Sequence, residues 1–325
     1  MAFPISRENV LLVVVSLVIF AVFAEIGLRI YLRQHIFYDI EMSRYANLLK
    51  IDAENPKIGH VHRPNRVARL MNVEVRTNSA GFRDDEVRIE RDHRQRLIFL
   101  GDSLTLGWGV EKEDGFEDRL ELALDAREPT EIINFAAGNY NTVQEVELFL
   151  ERGLEYQPDA VVVFYFINDA EPVPRKSRFA WLGRVRVATF YWSRIKALFA
   201  RWSAAPDYAA YYAALYEEDH PSWNAAQDAF RRLRDECRKR NIGLGVILLP
   251  ELHELSDYRF AAEHALVTTF LDELGIESLD LAPLFAGESN PQRLWVAPDD
   301  AHPNARAHQL IAEFSLGFVS EVANP

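Results

Sequence analysis

The sequence predicts a three-layer α/β domain built on a parallel sheet and preceded by an N-terminal transmembrane helix. Three observations carry this: short apolar runs rich in β-branched residues, helix-like stretches that alternate with them, and one long apolar segment near the start of the chain. The runs lie at residues 97–100, 132–135, 160–167, 244–249 and 276–281. Between them fall helical patterns at 116–127, 142–156, 224–240 and 260–274, and a last helix is expected after Asn304. Strand, helix and strand repeated this often imply parallel strands with both sheet faces covered.

The transmembrane helix is read from the segment between Val10 and Ala24, where every residue except Ser16 is apolar, and Ile26, Leu28 and Ile30 continue the run. About 17 to 20 such residues match a bilayer's hydrocarbon core, with Glu25 near one interface and Arg29 and Arg33 as anchors there. Val22 and Ala24 also satisfy a signal-peptidase site before Glu25, but the apolar residues beyond it favour a retained anchor over residues 1–33. Only Arg7 precedes the run whereas Arg29, Arg33 and Arg44 follow it, so the positive-inside rule does not by itself export the C-terminal bulk.

With 49% hydrophobic and 12% aromatic residues, the 325-residue chain can bury one large core or two modest ones. A formal net charge of -13 argues against a nucleic-acid binder, which needs a cationic face for phosphates. The lone Cys237 excludes a disulfide framework and a cysteine-rich metal site, and is expected as a small buried residue of a helix. Residues 34–93 read as an extension with turns at Asn55-Pro56, Arg63-Pro64-Asn65 and Asn78-Ser79-Ala80-Gly81 and a short edge strand at Val73 and Val75. The remaining residues, 94–325, form the α/β domain.

In parallel sheets functional groups gather beyond the carboxyl ends of the strands. Ser103 follows the first run, Gly138 the second and Asn168 the third, so three distant residues are delivered to one rim. A serine hydroxyl needs a base before it becomes a nucleophile, and His302 is the candidate. Asp299, three residues earlier, is expected to hold the imidazole Nδ1 proton and leave Nε2 facing the serine. The N–H groups of Ser103 and Gly138 and the Asn168 amide are candidate donors to an oxyanion. His308 is expected to pack or cap in the last helix, and His60, His62 and His253 to be ordinary surface or loop residues.

The ordered blocks Gly101-Asp102-Ser103-Leu104, Gly138, Asn168-Asp169 and Asp299-x-x-His302 resemble the SGNH (GDSL-type) hydrolase superfamily over about residues 94–322. The resemblance implies a flavodoxin-like α/β/α sandwich, ester hydrolysis or acyl transfer, and no metal or organic cofactor. It assigns Ser103 as nucleophile and first oxyanion donor, Gly138 and Asn168 as further donors, and His302 with Asp299 as base. The third block departs from the family pattern, because Phe166 stands where glycine is usual, which implies a different acyl or alcohol pocket. The lead-in Thr77-Asn78-Ser79-Ala80-Gly81-Phe82-Arg83 is similar to that of bacterial membrane-tethered members associated with cell-surface polysaccharides. That likeness implies an inner-membrane anchor with a periplasmic or extracytoplasmic catalytic domain and an acylated glycan or small molecule as substrate.

An insertion at 171–222 follows the Asn168 block. Between Pro172 and Pro206 it has no Asp or Glu but eight cations, Arg175, Lys176, Arg178, Arg184, Arg186, Arg194, Lys196 and Arg201, with Trp181, Tyr191, Trp192 and Trp202 among them. The spacing of Val187, Phe190, Tyr191, Ile195, Leu198 and Trp202 predicts an amphipathic helix beside the active-site rim, suited to an anionic bilayer or glycan. The alternative is a helix packed on the domain with its arginines paired to acidic neighbours. Function therefore divides among an esterase, an O-acyltransferase on the same residues, and a non-catalytic glycan-binding scaffold.

Overall fold

A computed structural model describes residues 7–32, 35–174, 185–202 and 208–324, with side chains at 196, 197 and 199–202 excepted. Arg33, Arg175, Lys176, Arg178, Trp181 and Arg184, and the side chains of Lys196, Arg201 and Trp202, thus lie outside the described residues. In chain order the helices are α1 (Arg7–Tyr31), α2 (Tyr38–Leu49), α3 (Phe116–Asp125), α4 (Thr142–Arg152), α5 (Arg186–Trp202), α6 (Tyr208–Leu215), α7 (Pro221–Arg240), α8 (Ala261–Leu274), α9 (Ala282–Phe285) and α10 (Ala305–Ala323). The strands are β1 (Lys50–Asp52), β2 (His60–His62), β3 (Val67–Leu70), β4 (Val73–Arg76), β5 (Gln95–Gly101), β6 (Thr130–Asn134), β7 (Ala160–Tyr165), β8 (Gly243–Leu248), β9 (Glu277–Asp280), β10 (Trp295–Ala297) and β11 (Asp300–Pro303).

The chain divides into two compact units, Met1–Asn47 with Lys176–Ala205, and Leu48–Arg175 with Pro206–Pro325. The extension from Leu48 onward therefore belongs to the same unit as the sheet. In that unit five strands pair in the order β6-β5-β7-β8-β9, all parallel. This is the flavodoxin arrangement, in which the chain leaves the first strand toward one side and returns on the other. β5 is that first strand, so the strand order reverses beyond its carboxyl end, where parallel sheets generally carry their sites.

Alternation along each strand sends side chains to opposite faces, and both faces are buried. Leu97 and Phe99 of β5, Val162 and Phe164 of β7 and Ile247 of β8 pack with Phe116 and Leu120 of α3 and Ile311 and Val319 of α10. Ile98 and Leu100, Val161 and Val163, and Val246 and Leu248 pack on the other side with Val146 and Phe149 of α4, Phe230 and Leu233 of α7, and Val267 and Leu271 of α8. Cys237 is buried on α7 as expected, and burial pushes its thiol up to about 12.

Helix starts are marked by side chains that take up free backbone donors. Asn141 accepts from Gln144 N at 3.0 Å to open α4, and Asn304 accepts from Arg306 N at 3.1 Å to open α10. In the extension β1 pairs with β2 and β3 with β4, both antiparallel.

In the other unit α1 is a 25-residue helix with no buried residue, long and apolar enough to cross a membrane, with a mean hydropathy of 2.8 over an 18-residue stretch. α5 packs against α1. Glu25 of α1 accepts from the backbone N–H of Arg186 at 3.2 Å and of Val187 at 2.9 Å, which are open donors of the first turn of α5. The Phe37 ring meets Phe190 edge-on at 5.6 Å, and the Arg194 guanidinium lies over both rings.

Candidate active site

β5 ends at Gly101, and the following loop folds back tightly over it. The Leu106 amide donates to the Asp102 carbonyl at 2.9 Å and the Trp108 amide to the Ser103 carbonyl at 3.0 Å. Only glycine fits at position 101, since a Cβ there would stand 2.1 Å from Thr105 Oγ1. Asp102 Oδ1 accepts from Leu104 N at 2.8 Å and fixes the turn on which Ser103 is carried. The Ser103 hydroxyl lies 2.9 Å from His302 Nε2 although 199 residues separate them.

His302 stands on β11, which pairs with β10 as a hairpin closed by Pro298 and Asp299. Here the structure corrects the expected orienting carboxylate. Residues two apart on a strand share a face, so Asp300 and not Asp299 meets the imidazole. Asp300 Oδ1 accepts from His302 Nδ1 at 2.5 Å and from His302 N at 3.1 Å. Asp299 sits exposed in the two-residue turn. The second oxygen of Asp300 accepts from the Trp108 indole at 2.9 Å, a partner that nothing in the sequence pattern marked. Burial alone raises the Asp300 carboxyl, but the His302 and Trp108 donors outweigh it and hold the group below the usual carboxylate range.

The other two candidate donors lie at the same sheet edge. Asn168 follows β7 and donates to Asp102 Oδ2 at 3.1 Å, which uses one of the two protons on its amide nitrogen. Phe166, at the unusual position of this block, has extended backbone, which any residue adopts without strain. Its N–H donates to Asp169 Oδ2 at 3.0 Å, and its half-buried ring packs against the core on both faces of the sheet. Gly138 follows β6 in a turn tied to the nucleophile loop by Asn134. The Asn134 Nδ2 donates to the Thr105 carbonyl at 2.9 Å and its Oδ1 accepts from Ala136 N at 3.0 Å.

Behind the nucleophile lie three buried carboxyl groups, Asp102, Glu145 and Asp169. Burial raises all three above the usual range, and their mutual repulsion adds to it for Glu145 and Asp169. Neither Glu145 oxygen has a hydrogen-bond partner among the described residues. A carboxylate so placed would be buried without compensation, so Glu145 is held as the neutral acid.

The extension also reaches the site. Arg83 is buried and donates to the carbonyls of Leu106 at 2.8 Å, Gly107 at 2.5 Å and Val110 at 2.7 Å, gripping the loop that carries Ser103. His60 and His62, expected as ordinary surface or loop residues, stand instead on β2: His62 is buried, and the half-buried His60 has its Nε2 3.1 Å from the Gly138 carbonyl. His308 packs as expected, stacked on Phe116 and accepting from its N–H at 3.1 Å. His253 is a loop residue paired with the buried Glu251.

A hydroxyl in hydrogen-bonding contact with a carboxylate-bound imidazole, at the switch point of a parallel sheet, is the constellation of a serine hydrolase. The chain belongs to the GDSL-like lipase/acylhydrolase family, which it matches over residues 99–310. Among solved structures it is similar to TesA, with 14% identity over 70% of this chain and 99% of that one and a TM-score of 0.45. It is also similar to the acetyl xylan esterase AlAXEase, with 16% identity over 69% of this chain and 99% of that one and a TM-score of 0.44. A catalytic mutant of the acetylxylan esterase Axe2 from Geobacillus stearothermophilus shows 17% identity over 70% of this chain and 94% of that one, with a TM-score of 0.44. No curated protein sequence matches the chain.

Two measurements test this geometry. Replacing Asp300 by Asn removes the negative charge beside His302 Nδ1 and allows an amide N–H to face it, which favours the wrong imidazole tautomer, and should lower kcat on an ester by about 10³- to 10⁴-fold, whereas Asp299→Asn should leave it within about twofold. Glu145 has a raised folded-state pKa, so its stabilising contribution is complete at acid pH and is lost as pH rises. Glu145→Gln, which cannot ionise, should therefore melt higher than the natural chain near pH 8 by roughly 3 °C or more and equally near pH 4.

Proposed function

We propose that this protein is a membrane-anchored serine esterase that removes O-acyl groups, O-acetyl foremost, from a cell-surface carbohydrate. The observation that carries the catalytic half is the 2.9 Å contact between Ser103 Oγ and His302 Nε2 together with the Asp300 carboxylate on Nδ1. In the reaction Nε2 takes the hydroxyl proton as Oγ attacks the ester carbonyl. The tetrahedral oxyanion forms against the N–H groups of Ser103 and Gly138 and the second amide proton of Asn168. Collapse expels the alcohol, which takes the proton from His302, and water then resolves the acyl-enzyme by the same steps in reverse. Asp300 keeps the imidazole in the tautomer that can accept, and stabilises the imidazolium. The carbohydrate half rests on the Thr77–Arg83 lead-in and its likeness to members associated with cell-surface polysaccharides.

A fluorophosphonate probe should label the natural chain and fail on Ser103→Ala; equal labelling of both excludes Ser103 as the nucleophile. Acetyl release from a panel of acetylated glycans then reads the substrate, and faster consumption with transfer to an added glycan acceptor would make the protein an O-acyltransferase. Binding without turnover would leave only the scaffold.

The membrane half of the proposal rests on α1 and α5. Glu25, the one carboxylate within the apolar stretch of α1, is satisfied by the start of α5 and by Arg29 at 2.7 Å, so it does not face lipid unpaired. α5 meanwhile exposes Tyr191, Trp192, Ile195 and Leu198, an aromatic and aliphatic set suited to the headgroup region, alongside Arg194. In this reading α1 is a retained anchor and α5 rests on anionic lipid. Cys237 is buried, so Ile195→Cys supplies one accessible thiol for a polarity-sensitive fluorophore. In liposomes containing phosphatidylglycerol its emission should shift to the blue and be quenched by spin-labelled lipid; emission as in water would sink the interfacial placement.

A further inference from the structure

We propose that Lys50 and His60, on the first hairpin of the extension, are positioning residues for the Gly138 turn: their two N–H donors converge on the Gly138 carbonyl and hold the neighbouring Gly138 N–H where an oxyanion forms. This rests on the esterase reading given above. The hairpin register pairs Lys50 with His62 and Asp52 with His60, so Lys50 and His60 lie diagonally on one face. Lys50 Nζ donates to the Gly138 carbonyl at 2.6 Å and to Asn139 Oδ1 at 2.9 Å, and His60 Nε2 lies 3.1 Å from the same carbonyl.

A carbonyl only accepts, so the proton of His60 is on Nε2. Burial, with the nearby Lys50 charge adding to it, pulls His60 down to about 3, which keeps the ring neutral. The ring is packed 4.9 Å from that of Tyr140, whose hydroxyl donates to the His60 carbonyl at 2.5 Å. Asn139 is left-handed at φ 66, a conformation its held side chain helps to keep.

The turn is thus fixed from both ends. Ala137 N donates to the Gly101 carbonyl at 3.3 Å before Gly138, and the Lys50 and His60 donors hold the peptide after it. An oxyanion donor acts only when its N–H is aimed in advance, so loosening one end of this turn costs rate rather than substrate binding. Both clamping residues lie outside residues 99–310, the part of the chain that matches the family.

The test uses the full chain in detergent with p-nitrophenyl acetate, following kcat, KM and the melting temperature for Lys50→Met, His60→Phe, the double variant, Lys50→Arg and Ser103→Ala. Lys50→Met should lower kcat about tenfold with KM unchanged, a partial form of the loss seen when an oxyanion donor is deleted. His60→Phe should lower kcat severalfold, and the double variant should fall short of the product of the two losses, because both groups act on one oxygen. Lys50→Arg, which keeps N–H donors at this position, should recover most of the rate. If Lys50→Met does not fold, His60→Phe and Lys50→Arg read the same split between kcat and KM. Folded variants with kcat within twofold of the natural chain, while Ser103→Ala is inactive, overturn the clamp and leave the esterase standing. An active Ser103→Ala overturns both.

Discussion

All five strands of the central sheet point the same way, and that constraint is what allows residues scattered over the chain to act together. Parallel strands put every carboxyl end at one edge, and the strand order reverses around β5 there. The candidate nucleophile Ser103 leaves β5, the two further candidate donors leave β6 and β7, and the candidate base His302 arrives on a small hairpin that precedes the last helix. The Ser103–His302 contact is therefore a product of topology. Local sequence supplies only the pieces: a glycine that permits the tight fold after β5, an asparagine that ties one loop to the next, and a strand that presents Asp300 and His302 on one side.

Around that contact several polar groups are held by more than one partner. Asp102 receives donors from Leu104 and Asn168, Asp300 from His302 and Trp108, and the Ser103 loop hangs by its carbonyls from Arg83. Buried polar networks of this kind are costly when incomplete and rigid when satisfied. Rigidity is what an acyl-transfer site needs, because donors that must reorganise during the reaction lose most of their worth.

The sheet was readable because β5 to β8 are buried on both faces, so each appears as a largely continuous apolar run, whereas the edge strand β9 is only partly buried. Boundaries agree to within a few residues even at the ends. The candidate base was readable because a histidine followed by Pro303 and the cap Asn304 announces the last helix. Its carboxylate was misread by one position, since a spacing of three suits a turn whereas β10 and β11 make a hairpin in which the spacing of two decides the face. Lys50, His60 and Arg83 were illegible as site residues. Each stands in a polar stretch of surface character, and each acts on a backbone carbonyl 23 to 88 residues away. Backbone acceptors carry no residue-type signature, so no pairing of side chains in the sequence could reveal them.

The grip of Arg83 on the carbonyls of Leu106, Gly107 and Val110 bears on how such a protein can be inherited. A recombination that joined the chain from β5 onward to an unrelated leader would transmit the nucleophile, its base and their carboxylate, yet the loop that bears the serine would lose its buried tether. A homologue that replaces Arg83 should then have found another buried cation or a shorter loop in its stead.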